Sequence, residues 1–278
     1  MLSTKKLVAS LLAGVMCFSL AACGAKNEPQ NSEEKPQEEQ KVELTDKEIN
    51  VSAAASLTDS MTEIAKKFEE DTGVKVNLNF GGSNALKTQI KEGFDVDMFF
   101  SASFNHYDEL DKEDYFSEGA MFVKNSPVLI VTKDNANIKS MEDLANSGVK
   151  FITTSEEVPI GKYTRQVLGN LNAVYGDTYK DTVIKNIASE ESNVRQVVSK
   201  VALGEGDAGL VYKTDVTPDF ADKLTVIEID PQYNVIGDYW KGLLKTASES
   251  DSAKAFYDFT GSDFAKEVFA KAGFVTEL

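Results

Sequence analysis

One histidine, two cysteines and one tryptophan are all that 278 residues contain of those types. So little imidazole and thiol leaves few routes to side-chain catalysis. The histidine, His106, lies in the polar stretch SFNHYDEL, which reads as surface, and its side chain as solvated. No G-x-S-x-G elbow is present, so a Ser–His triad lacks its turn. There is no Walker A motif, and GEGDAG lacks the G-x-G-x-x-G spacing of a dinucleotide loop. Basic residues are also short: 29 against 45 acidic ones, for a net charge of −16. That balance excludes nucleic acid as a partner, since phosphates need a basic face. Beyond the N-terminal segment, no apolar run is long enough to span a bilayer.

What is present begins with MLSTKKLVASLLAGVMCFSLAACG. Lys5 and Lys6 precede an apolar run, and small residues end it, the pattern of a signal peptide over residues 1–22. Leu20-Ala21-Ala22-Cys23 resembles a bacterial lipobox, which implies cleavage before Cys23 and a lipid on its sulfur. Cys17 leaves with the leader, so no disulfide is expected within the mature chain. Loss of two lysines, Lys5 and Lys6, takes the charge from −16 to −18. Residues 23–48 are rich in Glu, Gln, Lys and Pro and too poor in apolar groups to fold, so they read as a lipid-anchored flexible tether.

The remaining body, about 230 residues, suits one large domain or two lobes. Apolar periods alternate along it. INVSAA, VKVNLNF, VDMFFSAS, PVLIVT, KFITTS, AGLVYK, LTVIEID and YWKGLLKT read as strands, and VIKNIA as a possible one. LTDSMTEIAKKFEEDTG, NALKTQIKEG, SMEDLANS, KYTRQVLGNLNAVYG and VRQVVSKVALGEG read as helices, with two more closing the chain. Alternation of this kind predicts an α/β fold with mainly parallel sheets flanked by helices. Two lobes would share the chain by crossing near Asn125–Val128 and Pro231–Gly237. That places residues 49–125 plus 236–278 in lobe I and 126–235 in lobe II; a single wound sheet is the alternative.

Four helix starts share a design. SAAASLTD offers Ser56 as N-cap with Asp59 at capping-box spacing. FGGSNALK places Ser83 after two glycines, VPIGKYT places Pro159 and Gly161 at a helix entrance, and EESNVRQVV offers Asn193 as cap before Val194. Helix N-termini carry unpaired N–H groups and partial positive charge, and they hold anions without a charged side chain. Plain capping is the other reading of each. Tyr212 ends the strand Ala208–Val211 on the side where α/β sheets gather ligands; a core ring with a wet hydroxyl is its ordinary role. Asp95 and Asp97 share one side of a strand. They read either as a metal pair or as strand-edge caps, and no third acid supports the metal.

Taken in order, VSAAASLTDSM, FGGSNAL, DVDMFFSAS, VPIGKY, NVRQVV and AGLVYKTD resemble the periplasmic molybdate-binding proteins of ABC importers. The likeness runs over residues 49–278, down to AFYDFTGSDFAKEVFAKAGF. It implies two α/β lobes joined by crossing strands, with the oxyanion held between them by hydroxyls, backbone N–H groups and a tyrosine. Matched motif to motif, those roles fall on Ser56, Ser83, Ile160, Val194 and Tyr212. Position 160 commonly carries alanine in that family, so Ile160 bears on the size of anion accepted.

An all-donor pocket suits molybdate, and tungstate with it, because a fully deprotonated dianion only accepts hydrogen bonds. Hydrogen phosphate keeps a proton and wants an acceptor. Charged hydrogen bonds contribute about 1.5–3 kcal/mol each, and remote acids are screened beyond about 8 Å at physiological salt. The expectation is a monomeric, lipid-anchored binding protein that serves a membrane permease, without cofactor, cationic metal or catalysis. Sulfate or thiosulfate is the alternative ligand. A secreted hydrolase using Ser56, or an adhesion module with purely structural caps, is the alternative class.

Overall fold

Val51, Ala53 and Ala54 are buried along Glu48–Ala54 and make it β1 of a first sheet. The computed structural model describes residues 44–135 and 137–278. The leader, Cys23 and most of the tether lie outside them. β1 pairs in parallel with β2 (Lys75–Gly81) and β3 (Met98–Ser101). β10 (Gly237–Leu244) runs antiparallel between β3 and β4 (Phe116–Asn125), giving the order β2-β1-β3-β10-β4. α1 (Thr58–Thr72) buries Met61, Ile64, Ala65 and Phe68, the spacing of one helical face, and stops at Gly73, whose φ of 77° few other residues adopt. Met61, Ile64 and Phe68 each contribute about 1.5–3 kcal/mol on burial. Phe68 meets Phe256 of α8 (Asp251–Phe259) edge to face at 5.0 Å. α2 (Ser83–Lys91) and α3 (Phe104–Lys112) bring Leu86, Ile90 and Tyr107 into a smaller cluster with Phe99.

The second sheet has the order β7-β6-β8-β5-β9. Its strands are β5 (Pro127–Thr132), β6 (Phe151–Thr154), β7 (Ile187–Glu191), β8 (Ala208–Tyr212) and β9 (Leu224–Ile227). β6 pairs in parallel with β7 and β8, while β5 pairs antiparallel with β8 and β9. α4 (Pro159–Tyr175), α5 (Tyr179–Lys185) and α6 (Val194–Ala202) flank it, followed by the single turn α7 (Pro218–Ala221). α9 (Asp263–Ala272) then closes the chain against the first sheet's core through Phe269.

The molecule is therefore an α/β protein of two lobes. Several expectations need correction. Each sheet is mixed, because parallel pairing covers only half of its strand pairs. The stretch VIKNIA is the end of α5 plus the start of β7, and SMEDLANS holds only a 3-10 turn, Glu142–Ala145. SFNHYDEL is mostly α3, and His106 is buried within it. Its Nε2–H donates to the Glu157 carbonyl at 2.9 Å, and burial lowers its pKa. Asp97 accepts the Asn50 N–H at 2.7 Å and Asp95 the Asn50 amide at 3.0 Å, so both tie down the first half of β1. Among the described residues, no group of three or more His, Cys, Asp or Glu could hold a metal ion. None of the described helices is long and apolar enough to cross a membrane.

Candidate functional site

The five residues singled out from the sequence border one narrow space between the two sheets, of about 10 Å³, room for little more than one water. Ser56 lies in the 3-10 turn Ala55–Leu57 that leads from β1 into α1. It is not the cap of α1: Leu57 occupies that position, with no side-chain cap bond. Asp59 forms no capping box and instead pairs with Arg195 of α6. The Ser56 hydroxyl is buried and lies 2.8 Å from the Tyr239 hydroxyl.

Ser83 is the first residue of α2, and Gly82 before it is the N-cap. Its hydroxyl oxygen accepts the N–H of Ala102 at 3.0 Å, so its own proton is free for another partner. Gly82 has a steric reason to be glycine. A Cβ there would sit 2.7 Å from the carbonyl oxygen of Ser192, which belongs to the other lobe.

Ile160 and Val194 supply backbone. Ile160 is the second residue of α4, after Pro159, and Val194 opens α6. First-turn N–H groups have no acceptor inside their own helix. Asn193 caps α6 by accepting the N–H of Gln196, as its sequence suggested. The Ile160 side chain is buried and borders the space.

Tyr212 ends β8 with both its ring and its hydroxyl buried, so the hydroxyl is not wet. That hydroxyl has no hydrogen-bond partner. Tyr239 lies beside it, ring centroids 5.7 Å apart, but directs its own hydroxyl to Ser56 and Asn125. Burial raises the Tyr212 phenol well above its usual pKa, so it remains a donor. None of the residues lining the space is charged. A larger cleft of about 420 Å³, which also borders Ser56, carries Asp59, Glu63 and Asp219 against Lys271 alone. Its acids suit it poorly to an anion.

Sequence reasoning missed the groups behind this lining. The Asp215 carboxylate is fully buried; it accepts the Tyr212 N–H at 3.3 Å and pairs with Arg195 Nε at 2.8 Å. Burial pushes its pKa up to about 6 against the pull of that guanidinium. Only the Y-x-x-D spacing of Tyr212 and Asp215 hinted at this. Tyr239 and Asn125 gave no local signal, since their partners lie far along the chain.

The model of the bacterial extracellular solute-binding protein family matches residues 49–275. This chain belongs to that family. The solute-binding protein is 33% identical to the putative ABC transporter substrate-binding lipoprotein YvgL of Bacillus subtilis, over 96% of its own length and 97% of the relative's. It is 30% identical to the molybdate-binding protein ModA of Mycobacterium tuberculosis H37Rv, over 98% and 97% of the two chains. Among solved structures it resembles the substrate-binding domain of a putative molybdenum ABC transporter from Clostridium difficile. There the identity is 32% and the TM-score 0.62, covering 83% of this chain and 99% of that one. The relatives are transport binding proteins, which sets the solute-binding protein in that class.

Proposed function

We propose that this protein captures molybdate, and tungstate with it, between its two lobes and delivers the anion to an ABC permease. One observation carries the reading: the Tyr212 hydroxyl is buried without a partner in an uncharged space bordered by Ser56 and Ser83. An unpaired buried donor costs about 1–3 kcal/mol, and an acceptor-only dianion removes that cost. The N–H groups of Ile160 and Val194 complete the donor set. The names of the mycobacterial and clostridial relatives support molybdenum.

On this reading lobe I is residues 49–125 plus 236–278 and lobe II is residues 126–235. On the same reading the protein acts as a monomer, outside the cytoplasm, and binds without turnover.

Calorimetric titration with molybdate, tungstate, sulfate and phosphate tests the ligand. Binding to the folded state alone stabilises by RT ln(1 + [L]/Kd), about 4 kcal/mol at a thousandfold excess over Kd. Molybdate and tungstate should raise the melting temperature clearly and phosphate little. Equal shifts for phosphate would exclude an all-donor site, and a preference for sulfate would reassign the ligand.

Anchoring is tested separately. Cys23→Ser should leave the precursor unprocessed or release the protein from the membrane fraction. A variant that matures and sediments with membranes like wild type would rule out lipid attachment at Cys23.

A further inference from the structure

From the hydrogen-bond chain Asn125–Tyr239–Ser56 we infer that Tyr239 is a positioning residue that commits the Ser56 hydroxyl to donate into the anion site. The inference rests on the proposed oxyanion site and concerns how that site tells a fully deprotonated anion from a protonated one.

The direction of the chain follows from groups with no choice of role. The Ser126 backbone N–H is only a donor, and it lies 2.9 Å from Asn125 Oδ1. That fixes the orientation of the Asn125 amide. Its Nδ2 then faces Thr214 Oγ1 at 2.8 Å and the Tyr239 hydroxyl at 3.4 Å, and an amide nitrogen only donates. The Tyr239 oxygen therefore receives a hydrogen from Asn125. Of its two hydrogen-bond partners only Ser56 Oγ, at 2.8 Å, can accept the proton it carries, since Asn125 Nδ2 only donates. Ser56, receiving that proton, cannot return its own to Tyr239. Its hydrogen is left for whatever occupies the space beside Tyr212 and Ser83.

Ser83 is set in the same way by a backbone donor, the Ala102 N–H at 3.0 Å. The two serines thus come from different turns, yet each is loaded from behind: Ser83 by a backbone N–H that can only donate, Ser56 by a phenol that already accepts from Asn125. A lone serine rotates to donate or accept as its ligand requires. These two are biased toward donation before the ligand arrives. Tyr239 is the member of this arrangement that a substitution can remove cleanly. Its ring packs against Phe122, Tyr212 and Phe274, and phenylalanine keeps that packing while deleting one oxygen.

Tyr239→Phe and Ser56→Ala, singly and together, should be titrated with molybdate and with inorganic phosphate. Ligand-free melting temperatures of the same proteins report folding. Tyr239→Phe is expected to weaken molybdate about threefold to tenfold, the effect of one neutral hydrogen bond. Phosphate affinity should stay level or rise, because the freed Ser56 oxygen can now accept its proton. In the Ser56→Ala background the further change from Tyr239→Phe should vanish. A purely structural role would weaken both anions by one factor, in either background, and that result would overturn the inference. So would an unchanged molybdate-to-phosphate ratio. If wild type prefers sulfate, the same ratio is read with sulfate, also fully deprotonated. If wild type binds no tetrahedral oxyanion, the site assignment fails and this inference with it. If wild type binds and the ratio is insensitive to Tyr239, only this inference fails.

Discussion

Ser83→Asp is expected to abolish molybdate binding and leave the chain folded. Ser83 is buried, begins α2 and holds the Ala102 N–H through its oxygen. Aspartate can accept from that N–H as well, and a carboxylate is favoured in a first helical turn. The folded state therefore keeps its local support. The ligand does not. Two like charges 4 Å apart repel by about 4 kcal/mol at an effective dielectric of 20, and molybdate carries two. One donor is lost in addition, about 1.5–3 kcal/mol. Affinity should fall by more than a thousandfold, beyond calorimetric detection at micromolar protein. Ser83→Ala removes only the donor and should weaken binding roughly tenfold to a hundredfold. If Ser83 merely tethers Ala102, the order reverses: aspartate restores stability, alanine lowers it, and neither changes affinity. Molybdate binding by Ser83→Asp at wild-type strength would remove Ser83 from the site.

The largest loss of stability should come from Arg195→Met. Arg195 pairs with the fully buried Asp215 and, on its outer side, with Asp59 of α1. Removing one partner of a buried pair costs about 3–5 kcal/mol, because the other charge stays behind. At this chain size that corresponds to a drop of about 10 °C in melting temperature. The pH dependence gives a second check. Asp215 already has a folded pKa of about 6, raised by burial, against about 3.9 in an unfolded chain. A raised carboxyl favours folding while protonated, so its contribution is lost as pH rises from about 4 through 6. Without Arg195 the pKa rises further, and the loss should continue above pH 6. Urea unfolding at pH 5 and pH 8 reads the difference, and adding Asp215→Asn should recover most of the stability at pH 8. A variant equally stable at both pH values and close to wild type would show that the pair contributes nothing. Asp215 also holds the Tyr212 N–H, so molybdate affinity should weaken along with stability.

The site lining was legible because its signals are local. A serine after three alanines, a serine after two glycines, a proline at a helix entrance and an asparagine cap each mark a turn whatever the rest of the chain does. The tyrosine at the end of AGLVY marks the end of a strand in the same way. Their meeting around one space then follows from the two-lobe plan. The supporting groups were not legible, because their partners are remote: Ser56 and Tyr239 are 183 positions apart. Plain capping was the other local reading of these turns, yet neither serine caps its helix: the Ser56 hydroxyl meets Tyr239 and the Ser83 oxygen accepts the Ala102 N–H. β4 escaped notice because Glu118, Gly119 and Lys124 interrupt its pattern, and only Phe116, Val123 and Asn125 along it are buried. α3 was hidden by its polar face, although Tyr107 and Leu110 bury its other side.

The position of β10 has a kinetic consequence. It lies between β3 and β4 in the first sheet, yet it follows the whole second sheet in the chain. β5 to β9 are contiguous in the chain and can find one another without any strand of the first sheet. The first sheet must wait, because its β3–β10 and β10–β4 pairs close a loop containing every strand of the other sheet. Loop closure on that scale slows folding more than it lowers stability. During synthesis β1 to β4 emerge first and remain an incomplete sheet, with unpaired edges on β3 and β4, until the last segment arrives. Those edges can capture a strand from another chain in the meantime. The interval before Gly237–Leu244 becomes available is thus when this protein is most exposed to aggregation.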